Sequence, residues 1–385
     1  MRFGMKLQKV GNIYGNDSIK WFTGEGEWMP KISVLQSYMI IILSVGLLNH
    51  VIITPLLLGS SGRDAWLVVL LVLIASPIWI GILSYILTNM NGMHVRDWLK
   101  RQFGMVLSVA LIVVYSVLAW LMGVISLKDT ITWTIATYLP QSPMLVLAGT
   151  TLIGCFFAAL HGLRTIAILS GILLPFVVIL GGLVMVANFQ FKDYTMLFPL
   201  LENGISPLWK GIPYAAGGLL EMSVLILFQH KLTTKPGFKS LMLICILLSG
   251  LTLGPLMGSI AMYGPDEAAH QRYPPFEQWR MVRLGEYVEH IDFFSIYQWL
   301  SGMYVRVSLS LLLLSELWRL QKYKWLPMFL GALFMMVAAW LPISDMMFQD
   351  LLSRYYFPLF CVFTIGVMFV YFVRIIISTQ SKRSS

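Results

Sequence analysis

Runs of about 20 predominantly apolar residues recur ten times along this chain, and that recurrence decides most of what it can fold into. A helix rises 1.5 Å per residue, so roughly 20 residues cross a hydrocarbon core about 30 Å thick. The runs fall at about 33–58, 65–88, 105–138, 143–162, 166–188, 207–229, 238–263, 291–317, 325–343 and 355–377. Short connections join them. The expectation is one polytopic, all-α membrane domain over 31–377, with tails at 1–30 and 378–385. Strands of a membrane β-barrel would alternate apolar and polar residues. Residues 67–75 are apolar on every face instead.

The formal charge is +9, although only 12% of residues are charged. The excess does not point to nucleic acid, because the basic residues concentrate in alternate connections. With the N-terminus in the cytoplasm, the inside segments hold about 18 Lys and Arg and the outside loops about 7. That asymmetry predicts both termini on the cytoplasmic side, with anionic lipid as the contact of the excess. Cys155, Cys245 and Cys361 lie in separate runs and read as packing residues. Residues 1–30 lack the compact apolar core of a secretory leader and read as a short cytoplasmic tail. The sequence holds no phosphate-binding Walker pattern, no HExxH and no GxSxG, so neither an enzyme nor a metal or cofactor site is expected.

Four ionisable residues interrupt the apolar runs: Lys128 and Asp129 in the third, Glu221 in the sixth and Arg306 in the eighth. A charge near the bilayer centre costs about 2.5–3.5 kcal/mol on insertion scales, so such residues face a protein interior or a cavity. Lys128 and Asp129 are adjacent, hence ~100° apart on a helix, and cannot both face one pocket well. Glu221 suits a ligand amine, a proton or a neighbouring cation. Arg306 suits a carboxylate, or a permanent pairing with Glu221 or Asp129.

The runs also carry breaks. The first contains Gly46, Asn49-His50 and Thr54-Pro55; the sixth contains Pro213 and Gly217-Gly218 just before Glu221. If ten spans divide five plus five, these two correspond. Interrupted helices at matching positions of two halves mark a midplane site. Glycine there either gives a ligand access to backbone or lets helices pack closely. The outside segment from Tyr263 also differs from the other loops. Pro274-Pro275 opens a helical pattern in which Met281, Leu284, Val288 and Ile291 recur at three- and four-residue steps. It reads as an interfacial helix on lipid, a lid or a docking surface.

These features resemble the B subunit of bacterial spore germinant receptors, within the amino acid–polyamine–organocation transporter superfamily. The likeness spans about 31–377. It rests on Tyr273-Pro274-Pro275-Phe276-Glu277 with Arg283, Gly285, Glu289 and Asp292, on Phe198 through Gly204, on Gly62-Arg63-Asp64-Ala65-Trp66, and on Glu221. Where relatives carry a Gly-x-Gly-like break in the first span, this chain reads Leu48-Asn49-His50-Val51, and side-chain donors would replace backbone ones. The resemblance implies an inverted five-plus-five repeat with broken helices 1 and 6, and a site among spans 1, 3, 6 and 8. The implied ligand-binding residues are Asn49, His50, Asp129, Gly217, Gly218, Glu221 and Arg306. It further implies detection of a small nutrient, expected to be an amino acid, in the spore inner membrane, with receptor A and C subunits as partners. The competing reading is a secondary amino acid transporter.

Overall fold

The computed structural model describes residues 31–283, 291–320 and 322–381. Seven helical stretches are long and apolar enough to cross a membrane, joined by two shorter apolar helices, Met144–Leu160 and Trp325–Trp340. The first stretch, Val34–Asn89, turns at Gly62, whose φ of 53° suits a residue without a Cβ, and so holds two spans. The protein is thus an all-α membrane protein of ten spans. Among the described residues, extended pairing is confined to one bridge, Ile32 with Leu232.

Span 1 runs Val34–Leu47, passes through a π-helical turn at Leu48–Ile52, and continues as Ile53–Ser61. Ser33 starts it with a capping box, its Oγ accepting from Gln36 N–H while Gln36 Oε1 accepts from Ser33 N–H. Span 2 is Ala65–Asn89. The next helix, Val95–Thr137, bends at Gly104 (φ 81°, ψ 179°), which separates a short basic helix from span 3. Spans 4 and 5 are Met144–Leu160 and Leu163–Ala187.

Span 6 is α-helical over Ser206–Leu220, tightens to a 3₁₀ turn at Glu221–Val224, and resumes at Leu225–Phe228. The change of helix type therefore begins at Glu221, one turn beyond the glycine pair that predicted it. Spans 7, 8 and 9 are Phe238–Tyr263, Phe294–Trp318 and Trp325–Trp340. Span 10 starts earlier than its apolar run suggests. Asp345–Leu351 and a π turn at Leu352–Tyr356 precede Phe357–Ser381, so helix occupies part of the expected C-terminal tail.

Burial sorts the spans. Span 8 is interior, with its apolar window 83% buried, whereas that of span 5 is 17% buried. Span 8 packs against spans 1, 3, 4, 5 and 9, and span 6 against spans 1, 2 and 10. Exposed apolar residues such as Ile74, Val106 and Val362 form the lipid-facing surface. The described part of the segment after span 7 packs into protein. Phe276, Gln278 and Trp279 of the short helix Pro274–Arg280 are buried. Gln278 Nε2 donates to Pro255 O at 2.8 Å, and Asn188 Nδ2 donates to Gln278 O at 2.6 Å. The segment's described residues are wedged into one end of the bundle, as a lid would be. Leu284 and Val288 of the expected helix lie outside the described residues.

Candidate functional site

Arg306 is fully buried and joins four spans. From span 8 its Nη1 donates to Ser44 O of span 1 at 2.9 Å, and its Nε to Met122 O of span 3 at 3.2 Å. Its Nη2 lies 2.7 Å from Glu221 Oε1 of span 6. The ion pair is close, yet Nη2 has no well-aligned hydrogen bond, so it is held by charge more than by direction. Arg306 reaches Ser44 O just before the π turn of span 1, and Glu221 opens the 3₁₀ turn of span 6. The ion pair therefore sits between the two breaks.

The breaks leave polar groups unmatched. Asn49 is buried and neither its Nδ2 nor its Oδ1 has a protein partner; Glu221 Oε2 and Ser44 Oγ are in the same state. Hydrocarbon cannot satisfy such groups. Gly218 brings the two broken spans together: a Cβ there would overlap Asn49 Oδ1 and Ile53 Cδ1. A Cβ on Gly217 would meet Phe357 Cδ1 at 2.7 Å. Both glycines allow close packing, with backbone that remains α-helical. On the other side of Glu221 is a cavity of about 50 Å³, with Tyr115, Met122, Ser223, Tyr356 and Phe360 on its walls. It has room for water but not for a whole amino acid, and must widen to admit one.

The remaining sequence-predicted residues lie elsewhere. His50 Nδ1 is 3.0 Å from Leu251 O, a carbonyl that can only accept, so His50 ties span 1 to span 7. Lys128 Nζ donates to Ala339 O and Leu341 O, at 2.8 and 3.0 Å, and caps the C-terminal end of span 9. Asp129 does not join Arg306. It pairs with Arg272 Nη2 at 2.6 Å, and Arg272 Nε is 3.5 Å from Asp345. Lys128 and Asp129 thus point to different partners, as their helical spacing requires. Arg272 also lies 4.3 Å from the Tyr273 ring centre, and the Tyr273 ring meets Trp299 edge-on, which in turn stacks on Trp133.

Sequence reasoning missed Arg272 as the partner of Asp129. The only signal was its place in the unusual segment after Tyr263. It also missed the backbone carbonyls around Arg306, which no side-chain pattern reveals.

Interrupted helices meeting around a buried polar centre give the protein a broken-helix, transporter-like fold. The likeness to a solved transporter bears this out: the structure of Mhp1, a nucleobase-cation-symport-1 family transporter, in a closed conformation with bromovinylhydantoin bound. The TM-score is 0.54 at 15% identity, covering 86% of this chain and 76% of that one. The fold is that of a five-plus-five inverted repeat with helices 1 and 6 broken.

The chain belongs to the spore germination protein family, whose sequence profile matches residues 31–347. It is 36% identical over 357 residues to spore germination protein XB of Bacillus anthracis, covering 92% of this chain and all of that protein. It is 24% identical over 294 residues to spore germination protein KB of Bacillus subtilis (strain 168), covering 73% and 76%. Family and fold are those of membrane permeases and transporters.

Proposed function

We propose that this protein is the B subunit of a spore germinant receptor, sensing a small nutrient, an amino acid, in the spore inner membrane. One observation carries the reading. Asn49 and Glu221 present unpartnered polar atoms, in the membrane interior, where broken spans 1 and 6 adjoin. An amino acid matches that set. Its ammonium suits the free carboxylate oxygen of Glu221, and its carboxylate suits the Asn49 amide N–H. Arg306 holds the four surrounding spans in place, so a ligand that competes for Glu221 would shift the balance between their arrangements.

In this reading Asn49, Gly217, Gly218, Glu221 and Arg306 form the site, while His50 and Asp129 lie apart from it, bound to Leu251 O and Arg272. A and C receptor subunits are the partners, and both termini are cytoplasmic. A cysteine placed at Ser384 should then resist impermeant label in intact cells; outside labelling would overturn the orientation. The test of function is a panel of amino acids in a thermal-shift screen of the purified protein, alone and with the partner subunits. A ligand should stabilise the wild type, and Glu221→Gln or Asn49→Ala should weaken that response. If no amino acid shifts the wild type in either setting, the reading fails.

The transporter likeness favours one second reading, secondary amino acid transport. Saturable uptake of the same ligand into proteoliposomes would select it over pure sensing.

A further inference from the structure

At the basic end of the bundle, far from the central site, side chains from three segments meet. His94 caps the short helix before span 3, its Nδ1 accepting from Arg96 N–H at 3.2 Å. His230 ends span 6 and Glu316 lies near the end of span 8, with His230 Nε2 3.7 Å from Glu316 Oε2. Lys231 Nζ holds the other carboxylate oxygen at 2.5 Å. The rings of His94 and His230 are 4.5 Å apart, tilted by 60°. Two of their nitrogens, His94 Nε2 and His230 Nδ1, are buried without a protein partner.

The neighbours fix the tautomers. A neutral imidazole has one N–H and one lone pair. His94 Nδ1 accepts, so its Nε2 carries the hydrogen. Glu316 can only accept, so His230 Nε2 carries a hydrogen and its Nδ1 offers a lone pair. The two unpartnered nitrogens are therefore complementary, one donor and one acceptor on neighbouring rings. His94, His230 and Glu316 are close enough to suggest a metal ion. The His94 tautomer argues against it, because a metal at Nε2 needs the lone pair that the hydrogen occupies.

We infer that His94 and His230 form a proton-binding site that, when neutral, locks the connection between spans 2 and 3 onto the ends of spans 6 and 8, and when protonated releases it. The proton comes from water and forms one N–H bond, leaving a positive charge on the pair. On His94 Nδ1 it ends the helix cap. On His230 Nδ1 it sets two N–H groups against each other. The charged groups facing the pair are Arg96 and Asp97 on the helix of His94, Lys231 beside His230, and Glu316 and Arg319 on span 8. Arg319 is itself paired with Asp97 at 2.6 Å.

The direction is set by His94. Burial first, then the charges of His230 and Arg319, push its pKa from 6.5 down to about 4. A depressed folded-state value means that its contribution to the contact is complete above about 6.5 and is lost as pH falls toward 4. Neutral pH closes the contact and acid opens it. This inference does not rest on the nutrient reading.

Hydrogen exchange of the full chain in nanodiscs tests it, read over residues 91–101 from neutral to acid pH and corrected for intrinsic rates. Protection should fall on the order of a few hundredfold by pH 4, the effect of the difference between about 6.5 and about 4 in proton affinity of the two states. His94→Gln and His230→Gln should each abolish the step; melting at neutral pH checks that they fold, and the wild-type titration stands if one does not. No step in the wild type, or an equal step in a folded variant, overturns the inference. Zinc protecting the segment in wild type but not in His94→Gln would also overturn it, in favour of a metal site.

Discussion

The molecule contains two buried acid–Arg pairs that differ in what surrounds them. At the centre, Glu221 and Arg306 are both sealed, with side chains 5% and 0% exposed, and Arg306 donates to two backbone carbonyls while Glu221 keeps a free oxygen. Beside the segment after span 7, Asp129 is sealed but Arg272 is 21% exposed and has a second carboxylate, Asp345, in reach. The first pair holds spans together and leaves one carboxylate oxygen without a protein partner. The second is a clasp between span 3, span 10 and the wedged segment, and water can compete for one of its partners.

Breaking the central pair should have the largest effect. Arg306→Gln strands a buried carboxylate and should cost about 3–5 kcal/mol, read as a fall in the thermal midpoint in detergent. Glu221→Gln combined with it should cost less than the two separate losses together; strict additivity would count against direct contact. Asp129→Asn should cost less, about 1.5–3 kcal/mol, because Asp345 and solvent still serve Arg272. An equal loss at both sites would erase the distinction.

Gly218→Ala tests the central site from its packing side. The added methyl overlaps Asn49 and should cost about 1–3 kcal/mol. Nutrient response should fall further than the loss of folded protein accounts for; an unchanged response at limiting nutrient would confine the glycine to packing. The smallest effect belongs to the exposed pair of Arg63 with Glu202. Arg63→Gln should change stability by about 0–1 kcal/mol, setting the baseline for pairs that water can replace.

Much of this was legible in the sequence because the bilayer punishes exceptions. Apolar length located the spans, and Glu221 and Arg306 stood out as charges where none belong. Their opposite signs were enough to expect one polar centre. Lys128 looked equally anomalous, yet its partners are carbonyls of Ala339 and Leu341, and backbone leaves no trace in a residue pattern. Gly217-Gly218 suggested unwinding at the glycines themselves. Close contact with Asn49 and Phe357 uses the missing side chains instead, and the helix changes type only at Glu221. The His94–His230 contact was invisible, since it joins residues more than a hundred positions apart without an apolar run to flag them.

The Lys128 cap has a further consequence for the surrounding bilayer. Spans 4 and 9 are 17 and 16 residues long and pack side by side. At 1.5 Å per residue each reaches only about 25 Å, against a hydrocarbon core of about 30 Å. Span 9 stops at Leu341, which turns extended just before Pro342, and Lys128 caps the carbonyls left there, so the shortness is built in. One flank of the protein is thus thinner than the membrane it sits in, and lipids there must compress or be replaced by a neighbouring protein of matching height. Shorter acyl chains should raise the thermal midpoint of the reconstituted protein. If longer chains raise it instead, the flank is not mismatched.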